Sequence, residues 1–319
     1  MDLYRSLRAV SNAPDGEGQV DWQGVGDAAK GLTSPGSIDL DPGEHAGYAR
    51  DVRDARDRVG AVTGLSFPMP ERVEIQNRHH WIDANVTTFQ RVMRPVERRQ
   101  VPLPEVTRTI NTGTMSITLS FLGRNVLGQY DPLLLAEEPN ATHGLYFVRP
   151  NIRRVAGELD IDYDRFRRWI AFHEVTHAAE FGAAPWLSGH LEKRVEEGVD
   201  ALAGGSLAIE AFRELNVTMT AVEGYAELVM DRAFDTDSAD LREKIDRRRQ
   251  GGGPLTRVMR RLLGLGLKRR QYERGRRFFE SIADERGLQA AGAVWDDPWN
   301  LPKRQELDRP EMWLARVDP

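Results

Sequence analysis

The run His173-Glu174-Val175-Thr176-His177 lies in a stretch whose apolar residues recur every three or four positions, and that combination constrains the fold more than any other feature of the chain. Phe166, Trp169 and Ile170 lead into His173 and His177 at helical spacing, so both imidazoles fall on the stripe that a helix buries. Residues four apart are one turn apart on one helix face, close enough to share a cation. Asp162 is a suitable N-cap, and Gly182 followed by Pro185 supplies a stop. Val175 and Thr176 are uncharged, as an interior helix requires. The plain alternative is a pair of core histidines satisfied by hydrogen bonds.

Two histidines with a glutamate between them have the layout of a zinc metallopeptidase helix, in which Glu174 acts on a water at the metal. A catalytic zinc needs a third protein ligand and an open position. Downstream, His190 lies in the polar joint Ser188-Gly189-His190, and the fixed Gly and His spacing of metzincins is not met. The better place is the apolar run Met219 to Asp231, which carries Glu223 and Glu227 one turn apart. Carboxylates in such a helix need partners or a metal. This reading makes Glu223 the third ligand and Glu227 the carboxylate that orients a ligand histidine. A competing reading takes Thr220-x-x-Glu223 as a capping box, in which case Glu227 becomes the ligand.

The chain resembles a prokaryotic family of zincin-like metallopeptidases whose label associates them with biosynthesis of the deazaflavin coenzyme. The resemblance rests on the His-Glu-x-x-His helix, the Glu223-Gly224-Tyr225-Ala226-Glu227 helix and the segment Lys268 to Gly275. Further points are Trp81 to Asn85, Leu127 to Pro132 and Tyr146 to Ile152, so that it runs from about Asp21 to Trp313. It implies a mainly α (α+β) zincin-like fold and a gluzincin-like site, with His173, His177 and Glu223 on zinc and Glu174 as base. It also suggests Lys268, Arg270 and Tyr272 as cleft residues able to stabilise an oxyanion, with Tyr146 as a further substrate contact. The family usually carries His where this chain has Tyr225. The implied activity is hydrolysis of a peptide or other amide; the alternative is a catalytically silent binding or scaffold protein with a structural zinc, closed by His190 or Glu227 as fourth ligand.

Cysteine is absent from the 319 residues, which excludes disulfides, thiolate zinc sites and a cysteine nucleophile. No apolar run reaches the length of a membrane span, and Met1 to Leu7 lacks a signal-peptide pattern, so a cytoplasmic location is expected. From Arg242 to Arg277 there are fourteen Lys or Arg against three acids, an excess that could serve nucleic acid or an acidic substrate. No recognition motif accompanies it, so a solvated basic face is the favoured reading and nucleic acid is not an expected partner.

Residues 1–45 are rich in Gly, Asp, Ser and Pro and read as an irregular extension before a mostly helical domain over 46–319. Within that domain the pattern predicts helices over 47–62, 79–94, 115–127, 191–215, 220–234, 241–249, 255–263 and 268–286. Strands are predicted over 72–75 and 143–148. The second is expected either as an edge strand beside the metal helix, able to pair with extended substrate, or as an ordinary core strand. His79 and His80 are adjacent, so their rings diverge and do not share a metal.

Overall fold

The helix that carries both histidines, Tyr163–Ala183, begins where its cap dictates: the Asp162 carboxylate accepts from the Arg165 N–H at 2.9 Å. The structure, a computed structural model, describes residues 18–97, 104–132, 143–203, 209–234, 239–250 and 268–319. In chain order the longer helices are α1 (Trp22–Gly31), α2 (Pro42–Thr63), α3 (Arg78–Glu97), α4 (Pro104–Asn125), α5 (Arg149–Leu159), α6 (Tyr163–Ala183), α7 (Leu187–Ala203), α8 (Ile209–Ala233), α9 (Ala239–Gln250) and α10 (Lys268–Arg286). Short α11 (Leu288–Gly292) and α12 (Pro310–Val317) follow. Three strands, β1 (Arg72–Gln76), β2 (Gly128–Asp131) and β3 (Gly144–Val148), form one small sheet. The result is the mainly helical α+β architecture the sequence implies.

The sheet order is β1-β3-β2, with β1 parallel and β2 antiparallel to β3. All five residues of β3 are buried, as expected of a strand with neighbours on both sides. Alternation along β3 divides the interior. Leu145 and Phe147 enter the main core with α2, α6, α8 and α10, while Val148 joins a smaller core of Val25, Trp81, Ile82 and Leu119 from α1, α3 and α4. The strand predicted over 143–148 is therefore central, and the edge beside the metal helix belongs to β2, which contacts α6. A stretch as short as Gly128-Gln129-Tyr130-Asp131 has too little alternation to declare itself in sequence.

Two other expectations change. Residues 22–31 are not irregular: Asp21 caps α1 by accepting from the Gly24 N–H at 3.0 Å, and Val25 and Ala29 are fully buried against α4. The Gly-rich composition hid a short apolar stripe that matters only once α3 and α4 cover it. The helix predicted to start at Thr220 spans Ile209–Ala233 and passes through Thr220 unbroken, the Thr220 hydroxyl donating to the Asn216 carbonyl at 2.7 Å. With Thr220 in a helix interior there is no capping box, and the Glu223 side chain is released from that duty. The helix predicted over 255–263 lies outside the described residues.

Packing of α8 on α10 is set by glycine. A Cβ on Gly224 would sit 2.4 Å from the Gly275 carbonyl carbon, and one on Gly275 would sit 2.2 Å from the Thr220 oxygen. The two backbones thus touch where any side chain would hold them apart. This contact sets how deeply the segment around Glu223 enters the molecule.

Candidate metal centre

On α6 the rings of His173 and His177 meet edge to face with centroids 4.7 Å apart, and their Nε2 atoms face each other at 3.3 Å. Trp169 stacks flat on His173 at 5.8 Å, which fixes the plane of that ring. Glu223 arrives from α8, so that one ligand atom from each of His173, His177 and Glu223 lies within 4.8 Å of the others. Residues 46 positions apart in sequence are joined here by the packing of α8 on α6. Two imidazoles and a carboxylate are the donor set zinc takes in three-ligand sites. Among the described residues it is the one such cluster of three or more donors.

Glu174 is buried and points to the edge of the sheet, where its Oε2 accepts the Tyr130 N–H at 2.9 Å. β2 can approach because it carries Gly128 there; a Cβ at that position would lie 2.6 Å from Glu174 Cγ. Burial pushes the Glu174 carboxyl up to about 7, against the lowering effects of His177 and the Tyr130 N–H.

His177 is oriented from behind. Its Nδ1 lies 2.8 Å from Oε2 of Glu180, a fully buried carboxylate three residues on in the same helix. Burial opposes a proton on His177, but Glu180, Glu223 and Glu174 together outweigh it and hold the imidazole well above its ordinary value. Three carboxylates, Glu174, Glu180 and Glu223, thus act on this imidazole.

The remaining candidates lie elsewhere. Glu227, expected to orient a histidine, faces Arg242 at 3.4 Å, and the carboxylate that meets His177 is Glu180. Burial of α8 decides this, because α9 brings Arg242 to Glu227 and Asp231. His190 has its Nε2 3.3 Å from the Thr218 hydroxyl, and it lines a surface cleft of about 320 Å³ with Thr218, Lys303 and Arg304. Tyr146 shares with Val148 the sheet face turned away from the main core, and its phenol bonds Arg72. Lys268, Arg270 and Tyr272 open α10, and their side chains lie outside the described residues. Tyr225 is fully buried, packed edge to face on Phe279 and Trp295.

Sequence reasoning missed Glu180, Gly128 and the Tyr130 N–H. Glu180 was within reach, since a carboxylate three residues after His177 faces the same side of a helix. The other two depend on a four-residue strand and a backbone atom.

A model of zincin-like metallopeptidases matches residues 20–210 and 206–314. The chain belongs to that family. A crystal structure from Chloroflexus aurantiacus, described as that of a candidate hydrolase with a novel fold, superposes with a TM-score of 0.77 at 31% identity, covering 94% of this chain and 99% of the other. No curated protein matches. As a zincin-like family member the chain is a metallohydrolase by descent, and no helix among its described residues is long and apolar enough to cross a membrane.

Proposed function

We propose that the protein is a zinc-dependent peptidase of gluzincin type, with His173, His177 and Glu223 as ligands and Glu174 as general base. The observation that carries this reading is the donor count. A structural zinc is closed by a fourth protein donor, whereas a catalytic one keeps a position open. Among the described residues three donors converge, and neither His190 nor Glu227 joins them.

His173, His177 and Glu223 would hold the zinc ion, which would supply Lewis acidity toward a water and the scissile carbonyl. Glu174 takes a proton from the attacking water and returns it to the leaving amide nitrogen, held for this by the Tyr130 N–H on Oε2. By accepting the Nδ1 hydrogen of His177, Glu180 would leave the Nε2 lone pair for a cation. β2 pairs with β3 on one side only; with the Tyr130 N–H taken by Glu174, the backbone groups left on its outer edge would be the ones to meet an extended peptide. A small-metabolite amide, as a part in deazaflavin coenzyme synthesis would require, would make less use of that edge.

Elemental analysis of protein prepared without added metal tests the site: near-stoichiometric zinc is expected in the wild type and its loss in Glu223→Ala. A wild type free of divalent metal would overturn the proposal. Peptide-library digestion then tests the reaction, with cleavage expected from the zinc-loaded wild type and none from Glu174→Gln.

A further inference from the structure

Helix α4 turns toward solvent the kind of side chain that a helix ordinarily buries. Val106, Ile110 and Ile117 are 54%, 62% and 52% exposed, three of the five large hydrophobic residues that stand out among the described residues. At 3.6 residues per turn, Val106, Ile110, Gly113, Ile117 and Phe121 fall within about 80° of the helix circumference and form one stripe. Phe121, half-buried, belongs to neither core. The buried side carries Thr112, Ser116 and Ser120 beside Leu119; the Thr112 hydroxyl accepts the Asp21 N–H at 2.9 Å, and the Ser120 hydroxyl accepts from Thr33 at 3.0 Å. The amphipathicity of α4 is thus partly inverted, and a continuous apolar stripe on a solvent face marks a contact outside the fold.

The surroundings of the stripe suit such a contact. Thr109 and Thr114 beside it donate their hydroxyls to carbonyls of their own helix, Glu105 at 2.9 Å and Ile110 at 2.8 Å. Gly113 lies in the middle, and a Cβ there would meet nothing within 4 Å, so a second backbone can approach closely at that point.

We propose that α4 is the surface through which two copies of this chain associate, antiparallel across a two-fold axis beside Gly113. Turning the stripe about that axis sets Ile110 opposite Ile117 of the second copy and Val106 opposite Phe121, the mutual exchange that an isologous contact demands. The seven-residue intervals from Val106 to Gly113 and from Ile110 to Ile117 are those of helices packed side by side at a shallow angle. Charge fixes the antiparallel sense. Glu105 at one end of α4 and Arg124 at the other are exposed, and neither has an ion pair among the described residues. The two-fold brings each alongside its opposite in the second copy, whereas a parallel pair would set like against like. The helix dipoles also oppose one another in this arrangement. Nothing in this inference depends on the metal site.

Sedimentation velocity over a concentration series tests it. One helix pair is a small interface, so the wild type should form a weak, concentration-dependent dimer. Ile110→Glu and Ile117→Lys should each weaken association about tenfold or more, because each sets an unpaired charge in the apolar contact. Both sites are exposed, so the melting temperature of the monomer should not change. Combining the two substitutions in one chain should restore the dimer, since the antiparallel pairing sets acid opposite base across the axis. The absence of cysteine allows a second readout: Gly113→Cys should cross-link two copies on oxidation, and Asp57→Cys, exposed on α2, should not. A wild type monomeric at every concentration would overturn the inference and leave the stripe to a partner of another kind. A dimer that neither single substitution weakens would overturn it too, and one weakened by both but not restored by the pair would overturn the antiparallel arrangement.

Discussion

Two buried acidic clusters in the same molecule have opposite electrostatic outcomes. Around Glu44, both carboxylate oxygens are matched: Arg149 donates to each at 2.7 Å, the Tyr163 hydroxyl donates at 2.5 Å and Arg153 at 3.2 Å. Burial pushes Glu44 up, but these donors more than compensate and hold it at about 2. At the candidate metal centre Glu174 and Glu180 lie deeper, each has a single strong partner, and burial pushes both up to about 7. The first cluster is complete without any ligand. The second combines deeper burial with fewer positive partners, and both differences separate it from a self-satisfied structural network.

Glu174 is the position at which the two clusters differ most in consequence. Replacing it with Gln should retain zinc while lowering kcat about a hundred- to ten-thousand-fold on a cleaved peptide, as loss of a general base does. A variant of undiminished activity would remove Glu174 from the reaction. Next in size is Glu44→Gln, which leaves the Arg149 guanidinium, only 9% exposed, without its counter-charge. Urea titration should show a loss of about 3–5 kcal/mol with zinc content unchanged.

The pH dependence of that loss follows from the direction of the shift. Glu44 is depressed in the folded state, so its contribution is fully present above the ordinary carboxyl value of 4.5 and disappears as the pH falls toward about 2. The gap between wild type and Glu44→Gln should therefore narrow on acidification by about 3 kcal/mol. A gap that stayed constant with pH would mean that the network, not the charge, carries the stability.

Metal should act on the other cluster alone. At a hundredfold excess over its Kd, zinc should stabilise the wild type by about 2.7 kcal/mol in thermal melts, stabilise Glu44→Gln equally, and leave Glu223→Ala unmoved. The smallest expected effect is at the helix contact. Gly224→Ala must push α8 off α10, since its Cβ would lie 2.4 Å from Gly275. A cost of about 1–3 kcal/mol is expected, together with weaker zinc binding because Glu223 is the next residue. Full zinc affinity in this variant would show that α8 can yield without moving its carboxylate.

The helical frame was legible because its signals are local. Asp162, the three- and four-residue spacing of apolar side chains and the interval between His173 and His177 all lie within one helix, and the structure reproduces that helix to within a residue or two. Where the sequence left alternatives, they turned on relations between elements. Thr220 and Glu223 also fit a capping box until the helix is seen to extend back to Ile209. Strand 143–148 could be edge or core until β2, too short to be recognised, took the edge. Glu227 and Glu180 were both acids in apolar helices, and only the arrival of Arg242 on α9 drew one of them away from the histidines.

What the sequence determined by itself is thus the helix that carries the two histidines and the chemistry of its side chains, because periodicity and capping are properties of a continuous segment. The tertiary structure alone decided which carboxylate faces which histidine and which strand edge meets Glu174. Those outcomes depend on side chains meeting across helices and strands far apart in the chain, where a glycine contact such as Gly224 with Gly275 sets the distance and leaves no periodic trace.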